Sequence, residues 1–430
     1  MPCRRPRGLS RAMDIHTHIG SDPDGGPVAL SLPERLRHVA IFGATGVGKS
    51  TLLRYIVQQD IARGDGVLFI DPHGDDAEAL LGTIPPSRSN QVCYFDITDR
   101  EFPIGFNVLE DVAPDDRATL AENIVSAMRG IWRESWGNRM ERLLRHSAAA
   151  LIETPNASLV LLPRLLTDAD FRHQVVSRVS NPITRAFFEQ QFDQWRDNFR
   201  DEVIVSLLND IEAFTFSPII RNVIGQGRST LHFEQAMERR RVVLLNCAKG
   251  IIGETPAFLI GALALARVQA AGMARARLKP EERPPFHVII DEAQNFGPGV
   301  IASLLTEARK FGLSITLATQ FLSGIDQKVR DALLTVVKTL IVFQVGDRDA
   351  EILAPEFDRA QQSFNPFALR QLGIGQAMIR ISSRGAEQIV IHPPDVPTAD
   401  GETIRKQSRL HFGVERASVE NKIARALKVN

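Results

Sequence analysis

Cysteine is scarce: Cys3, Cys93 and Cys247 are the only three in 430 residues. Spaced so far apart, they exclude a disulfide framework and a thiolate metal site, and a reducing cytoplasmic compartment is the expectation. Net charge is also missing, with 51 Lys+Arg against 51 Asp+Glu. No global field advertises a polyanionic partner, so any such contact must come from local patches. Two tyrosines and three tryptophans offer few rings for stacking on unpaired bases, which leaves phosphate backbone as the more natural nucleic-acid contact. No apolar run reaches the ~18–20 residues that cross a bilayer. The most apolar stretch, Phe258–Ala271, is interrupted by Arg267 and reads as a buried helix, so no integral membrane segment is expected. Arg4, Arg5, Arg7 and Arg11 are followed by no apolar core, unlike a secretory signal.

What is present is an ordinary globular composition, 44% apolar and 24% charged. Residues 1–26 show no periodicity and read as a flexible arm, with Met13 an alternative start. An α/β pattern follows. Val28–Leu30 reads as an edge strand, and Val39–Phe42, Gly66–Ile70 and Gln91–Phe95 as buried strands. From about Pro114 to Val223 the period changes to 3.6, with Pro155, Pro163, Pro182 and Pro218 as breakers. Strands return at Val242–Leu245, Val288–Ile290, Ile315–Leu317, Leu340–Phe343, Ala377–Ile381 and Gln388–Ile391. The expected organisation is a core in two parts, 27–112 and 225–410, around an all-α insertion at 113–224. An amphipathic helix within 411–430 completes it, docking on a neighbour.

Gly43–Ser50 reads GATGVGKS, between an apolar strand and a helix-forming stretch. This is a Walker A loop. In Gly43, Ala44, Thr45, Gly46, Val47 and Gly48, the glycines let successive backbone N–H groups converge on phosphate oxygens. Lys49 brings charge to the β- and γ-phosphates, and Ser50 offers a hydroxyl to Mg²⁺. HVIIDE at His287–Glu292 has the Walker B form. There Asp291 would hold Mg²⁺ through water and Glu292 would activate the attacking water. Gln320 ends the next apolar strand, from which it would reach the γ-phosphate or that water. Together these imply an ATP hydrolase using ATP and Mg²⁺.

Several stretches together resemble the HerA/FtsK superfamily, and within it the ATPase part of type IV secretion (conjugative) coupling proteins. They are GATGVGKST at Gly43–Thr51, FIDPHGD at Phe69–Asp75, IGFNVLE at Ile104–Glu110 and WGNRMERLLR at Trp136–Arg145. IIDEAQNF at Ile289–Phe296, TEARKFGLSITLATQ at Thr306–Gln320 and VFQVGDRDAEILAPEF at Val342–Phe357 complete the set. The resemblance implies a RecA-like P-loop (ASCE) NTPase core with a mainly parallel sheet and an all-α domain between Walker A and Walker B. It implies phosphate and Mg²⁺ contacts at Lys49, Ser50 and Thr51, and a glutamine sensor at Gln320. Arg309 matches an arginine that ring ATPases insert into the neighbouring subunit's site; a helix-end arginine beside the C-terminal dipole is the alternative. The implied function is a soluble, DNA-translocating homo-oligomer, a hexamer, with relaxosome or secretion-system proteins as possible partners. The rival is an ATP-controlled assembly or docking factor that moves nothing.

Asp71 and His73, in DPHGD, either touch Mg²⁺-bound water or form a structural turn. Lys249, in the loop after Val242–Leu245, is a minority candidate for a ring's central pore, and the pore-facing residues are not fixed by the sequence. Arg267, Arg275, Arg277, Lys279 and Arg283 form a solvated face or a contact for nucleic acid or a neighbouring subunit. Asp14–His18, DIHTH, imitates an amidohydrolase metal motif, but no later ligands complete it. An ABC or SMC ATPase is disfavoured because no LSGGQ-like signature opens a helix before Walker B.

Overall fold

The computed structural model describes residues 16–132, 136–358 and 363–428. Its strands are β1 (His16–Ser21), β2 (Pro27–Ser31), β3 (Val39–Phe42), β4 (Gly66–Asp71), β5 (Val92–Asp96), β6 (Val242–Asn246), β7 (Phe286–Ile290), β8 (Leu313–Thr319), β9 (Thr339–Val342), β10 (Gln376–Ile381) and β11 (Gly385–Ile391). They form one sheet in the order β2-β1-β11-β10-β9-β3-β8-β7-β4-β6-β5. From β9 to β5 neighbouring strands run parallel, while β10, β11, β1 and β2 add antiparallel strands at one edge. Runs such as VAIF in β3 and VVLLN in β6 are buried at every position. This is how a parallel strand covered on both faces reads in sequence.

Two apolar clusters flank the sheet. One packs the helix Lys49–Arg63 through Leu52, Leu53 and Ile56 against Val39, Ile41 and Phe69. The other runs without interruption from Leu68, Ile70 and Val288, through Leu263 and Phe296, into Leu120, Leu143, Phe187 and Leu207. Between β5 and β6 the described residues are helical or irregular, including helices Arg117–Ile131, Asn138–Ile152 and Asp197–Thr215. These helices share the core of the sheet's second face.

Helix Glu254–Ala274 lies between sheet and insert. With its extension to Arg277 it is long and apolar enough to cross a membrane, but 83% of its most apolar window is buried inside the fold. Arg267 is buried with it, bonded to Glu110 O and Glu234, and Arg275 to Phe311 O and Pro284 O. Neither belongs to the solvated or partner-facing stripe that their spacing implied.

Two expectations are corrected. Residues 16–26 belong not to a flexible arm but to the β1–β2 hairpin, with β1 also paired to β11. Polar HTHIGS becomes a strand because distant partners satisfy its backbone, a pull invisible in local propensity. Residues 1–15 lie outside the described residues. At the other end, helix Arg416–Leu427 docks on its own chain rather than a neighbour. Val419 and Ile423 are buried, Glu420 accepts from Asn222, and Arg164 donates to Ala426 O. A second helix, Gly401–Phe412, precedes it and packs by β5, where Ser408 accepts from Tyr94 N–H.

Candidate nucleotide site at the carboxyl ends of the strands

In a parallel sheet, segments that follow different strands meet at one edge. The phosphate loop follows β3, Asp71 ends β4, Lys249 follows β6, Asp291 and Glu292 follow β7, and Gln320 follows β8. The loop itself is held by backbone bonds. Gly43 N–H donates to Thr319 O, Ala44 N–H to Gln344 O at 2.8 Å, and Val47 O accepts from Gly375 at 3.0 Å. Gly46 and Gly48 have φ of 81° and 118°, which side-chain-bearing residues rarely adopt. A Cβ on Gly43 would sit 2.7 Å from Phe343 Cβ. Gly48 caps the helix that begins at Lys49, with Ser50 and Thr51 on its first turn.

Lys49 is buried and folds back on its own loop, donating to Gly43 O and Ala44 O at 2.7 Å each. Burial depresses its pKa, opposed by the charges of Asp291 and Glu292. Ser50 Oγ donates to Asp291 Oδ2 at 3.0 Å. Burial raises the Asp291 pKa, Asp71 adds to the rise, and the Glu292 N–H, Ser50 and Lys49 oppose it. Burial and the Asp71 charge push Asp76 up to about 6 against the pull of Arg54. Carboxylates crowded so that they resist ionising, beside a serine hydroxyl, are the donor set a hard divalent cation relieves. The residues present therefore fit Mg²⁺.

Glu292 has φ 47°, an uncommon backbone for a residue with a side chain. Its carboxylate accepts from four donors: Lys249 Nζ at 2.6 Å and Asn295 Nδ2 at 3.1 Å on Oε2, then Gln320 Nε2 at 2.7 Å and His73 Nε2 at 3.2 Å on Oε1. Because a carboxylate only accepts, His73 carries its proton on Nε2 here. Burial alone would raise the Glu292 pKa, but Lys249 and His73 outweigh it and hold the group below its ordinary value. Gln320 also accepts from Thr45 Oγ1 at 3.3 Å, tying this carboxylate to the phosphate loop.

The sequence offered Lys249 only as a minority pore candidate and gave Asn295 no role; the fold puts both on Glu292. No motif marks Lys249, since its contact depends on β6 and β7 each flanking β4. Asp71 is the turn-former of the DPHGD segment, accepting from the N–H groups of His73, Asp76 and Ala77 at 2.9 Å, whereas His73 reaches the site. Arg309 lies elsewhere. It is exposed in the turn before β8, at the opposite end of the sheet. The seven residues of β8 separate it from Gln320 by ~20 Å. In DIHTH, His16–His18 lie in β1, and neither histidine joins a group able to hold a metal among the described residues.

The family model described as "Helicase HerA, central domain" matches residues 17–244, just over half of the chain. The chain belongs to this family. Its fold is that of RecA-like P-loop ATPases. It matches the plasmid coupling protein TrwB in complex with the GTP analogue GDPNP, at TM-score 0.66 and 17% identity over 91% of this chain and 93% of that one. TrwB in complex with ADP and Mg²⁺ gives TM-score 0.66 and 16% identity over the same shares. VirB4 of Thermoanaerobacter pseudethanolicus gives 0.55 and 13%, over 88% of this chain and 96% of that one. At these identities the likeness is one of fold. No curated protein matches the chain.

Proposed function

We propose that the chain is an ATP hydrolase that translocates DNA as a homo-oligomeric ring, in the manner of a conjugative coupling protein. The observation that carries this reading is the convergence of Lys49, Ser50, Asp291, Glu292 and Gln320 at the carboxyl ends of adjacent strands. Lys49, resting on loop carbonyls, would turn to the β- and γ-phosphates when they enter the loop, while N–H groups of residues 44–51 surround them. Ser50 and Asp291 would hold Mg²⁺, which neutralises charge on the phosphates. The water oxygen bonds to the γ-phosphorus as its proton passes to Glu292, and the β–γ bridging oxygen departs with ADP. Gln320 orients that water.

Arg309 is too far to act on the site of its own subunit, which favours action on a neighbour's site in a ring, with gains of ~10³–10⁵ for such arginines elsewhere. Membership of a HerA helicase family and the fold shared with TrwB support DNA as the partner. The deciding experiment is steady-state ATP turnover of purified protein without DNA, with single strands and with duplex, at two salt concentrations. Stimulation by DNA that weakens with salt supports the motor. Turnover indifferent to every nucleic acid supports an ATP-controlled assembly factor instead. Glu292→Gln is the site control, and turnover at the wild-type rate in that variant overturns the assignment.

A further inference from the structure

A carboxylate has about four lone-pair positions for hydrogen bonds, and four donors occupy those of Glu292. A water molecule that is to give Glu292 its proton must itself donate to one of them. One donor therefore has to leave before turnover.

The four are not equally placed to do so. Gln320 is tethered at its other end to Thr45 in the phosphate loop. Asn295 lies three residues from Glu292 in the same tight turn. His73 sits in the turn that Asp71 braces through three backbone bonds. Lys249 alone reaches the carboxylate by a flexible four-carbon stem, and its contact, at 2.6 Å, is the shortest of the four. Its backbone N–H is anchored to Pro72 O at 2.8 Å, so only the side chain needs to move. Its ammonium lies 5.8 Å from the Phe258 ring centre, at the edge of cation–π range.

The surroundings of Lys249 are open. It begins the short helix Lys249–Ile252, between Ala248 at φ 39° and Gly253 at φ 90°. Ile251 is 68% exposed, and a Cβ on Gly250 would meet nothing within 4 Å. The segment thus joins an uncovered surface to the carboxylate beneath it.

We propose that Lys249 is a positioning residue that locks Glu292 at rest, and that ATP turnover requires its ammonium to swing off the carboxylate. This rests on the hydrolase reading above. The side chain leaves toward solvent, one lone pair of Glu292 Oε2 is freed for water, and the neighbouring Asn295 bond keeps the carboxylate in place.

The test is kcat and KM for ATP without nucleic acid in wild type, Lys249→Met and Lys249→Arg, alongside equilibrium binding of a fluorescent ATP analogue with Mg²⁺. Lys249→Met is expected to raise kcat about tenfold, a part of the ~10²–10⁴ that general-base assistance contributes, with KM within about twofold. Lys249→Arg, which keeps the charge, gives a smaller rise. A residue needed only for structure would not raise kcat. Should Lys249→Met not fold, Lys249→Leu, uncharged and without a donor, supplies the same comparison. An unchanged or lower kcat in a variant that binds the analogue overturns the lock and leaves the hydrolase reading standing. Failure of every protein, wild type included, to bind the analogue overturns that reading and the lock with it.

Discussion

Gln320 donates to Glu292 Oε1 at 2.7 Å and accepts from Thr45 Oγ1 at 3.3 Å, so one side chain spans the gap between the phosphate loop and the Walker B strand. On the proposed reading, a γ-phosphate entering the loop would compete for Thr45 or Gln320, and Glu292 would feel the change through the same side chain. Gln320→Ala removes the link while leaving Lys49 and Ser50 in place. ATP turnover should fall by ~10²-fold, the scale for a positioned transition-state donor, while binding of an ATP analogue stays within a few-fold. A parallel loss of binding would show that Gln320 only supports the loop.

Arg309 stands at the other end of β8 from Gln320, exposed. If Arg309 acts on a neighbour's site, as proposed, mixing Arg309→Ala with Glu292→Gln, each expected to be inactive alone, should restore part of the ATP turnover, because a mixed oligomer pairs an intact Arg309 with an intact Glu292 at some sites. No recovery on mixing would remove Arg309 from the chemistry.

His38 immediately precedes the phosphate-loop strand, has φ 68°, is 1% exposed, and accepts from Ile315 N–H through Nδ1 at 3.1 Å. Burial, with the nearby charge of Arg309, lowers its pKa from 6.5 to about 4. The unfolded chain therefore takes up this proton first as pH falls. The stability associated with neutral His38 is complete above about pH 6.5 and is lost on the way down to about pH 4. The integrated loss is about 3 kcal/mol. Urea unfolding at pH 7.5, 5.5 and 4.5 should show it, and His38→Gln should flatten that part of the profile. A slope unaltered by the substitution would place the acid sensitivity elsewhere.

Gly74 has φ 97°, and a Cβ there would lie 2.1 Å from Asn246 Oδ1. Asn246 is itself fixed by a bond to Tyr94 Oη at 2.8 Å, so it yields poorly. Gly74→Ala should cost ~2–4 kcal/mol from strain and overpacking combined, read from the urea midpoint. It should also move His73 off Glu292 and change ATP turnover beyond what the stability loss explains.

The parts of the site that were readable in sequence are those whose chemistry is local. Gly43–Thr51 must be contiguous to wrap phosphates, and Asp291 and Glu292 must close a short apolar strand, so both carry their signal within a dozen residues. Lys249 carries none, because an ordinary lysine in a loop becomes a partner of Glu292 only when β6 and β7 take places on either side of β4; Asn295 is a local partner, three residues from Glu292 in the IIDEAQNF stretch. Asp71 and His73 were noticed as a pair, yet their roles separate: one carboxylate braces backbone N–H groups, and the imidazole beside it faces the site.

The α/β alternation, the ten later strands and the phosphate loop were legible in the chain, since periodicity and glycine spacing are short-range properties. Long-range packing set the rest. It made a strand of HTHIGS through pairing with β11, about 370 residues away. It drew the insert into the same apolar core as the sheet, and it set Arg309 and Gln320 at opposite ends of one strand. In each case the deciding energy comes from hydrogen bonds and buried surface shared by segments far apart in the chain, and no local window contains both partners.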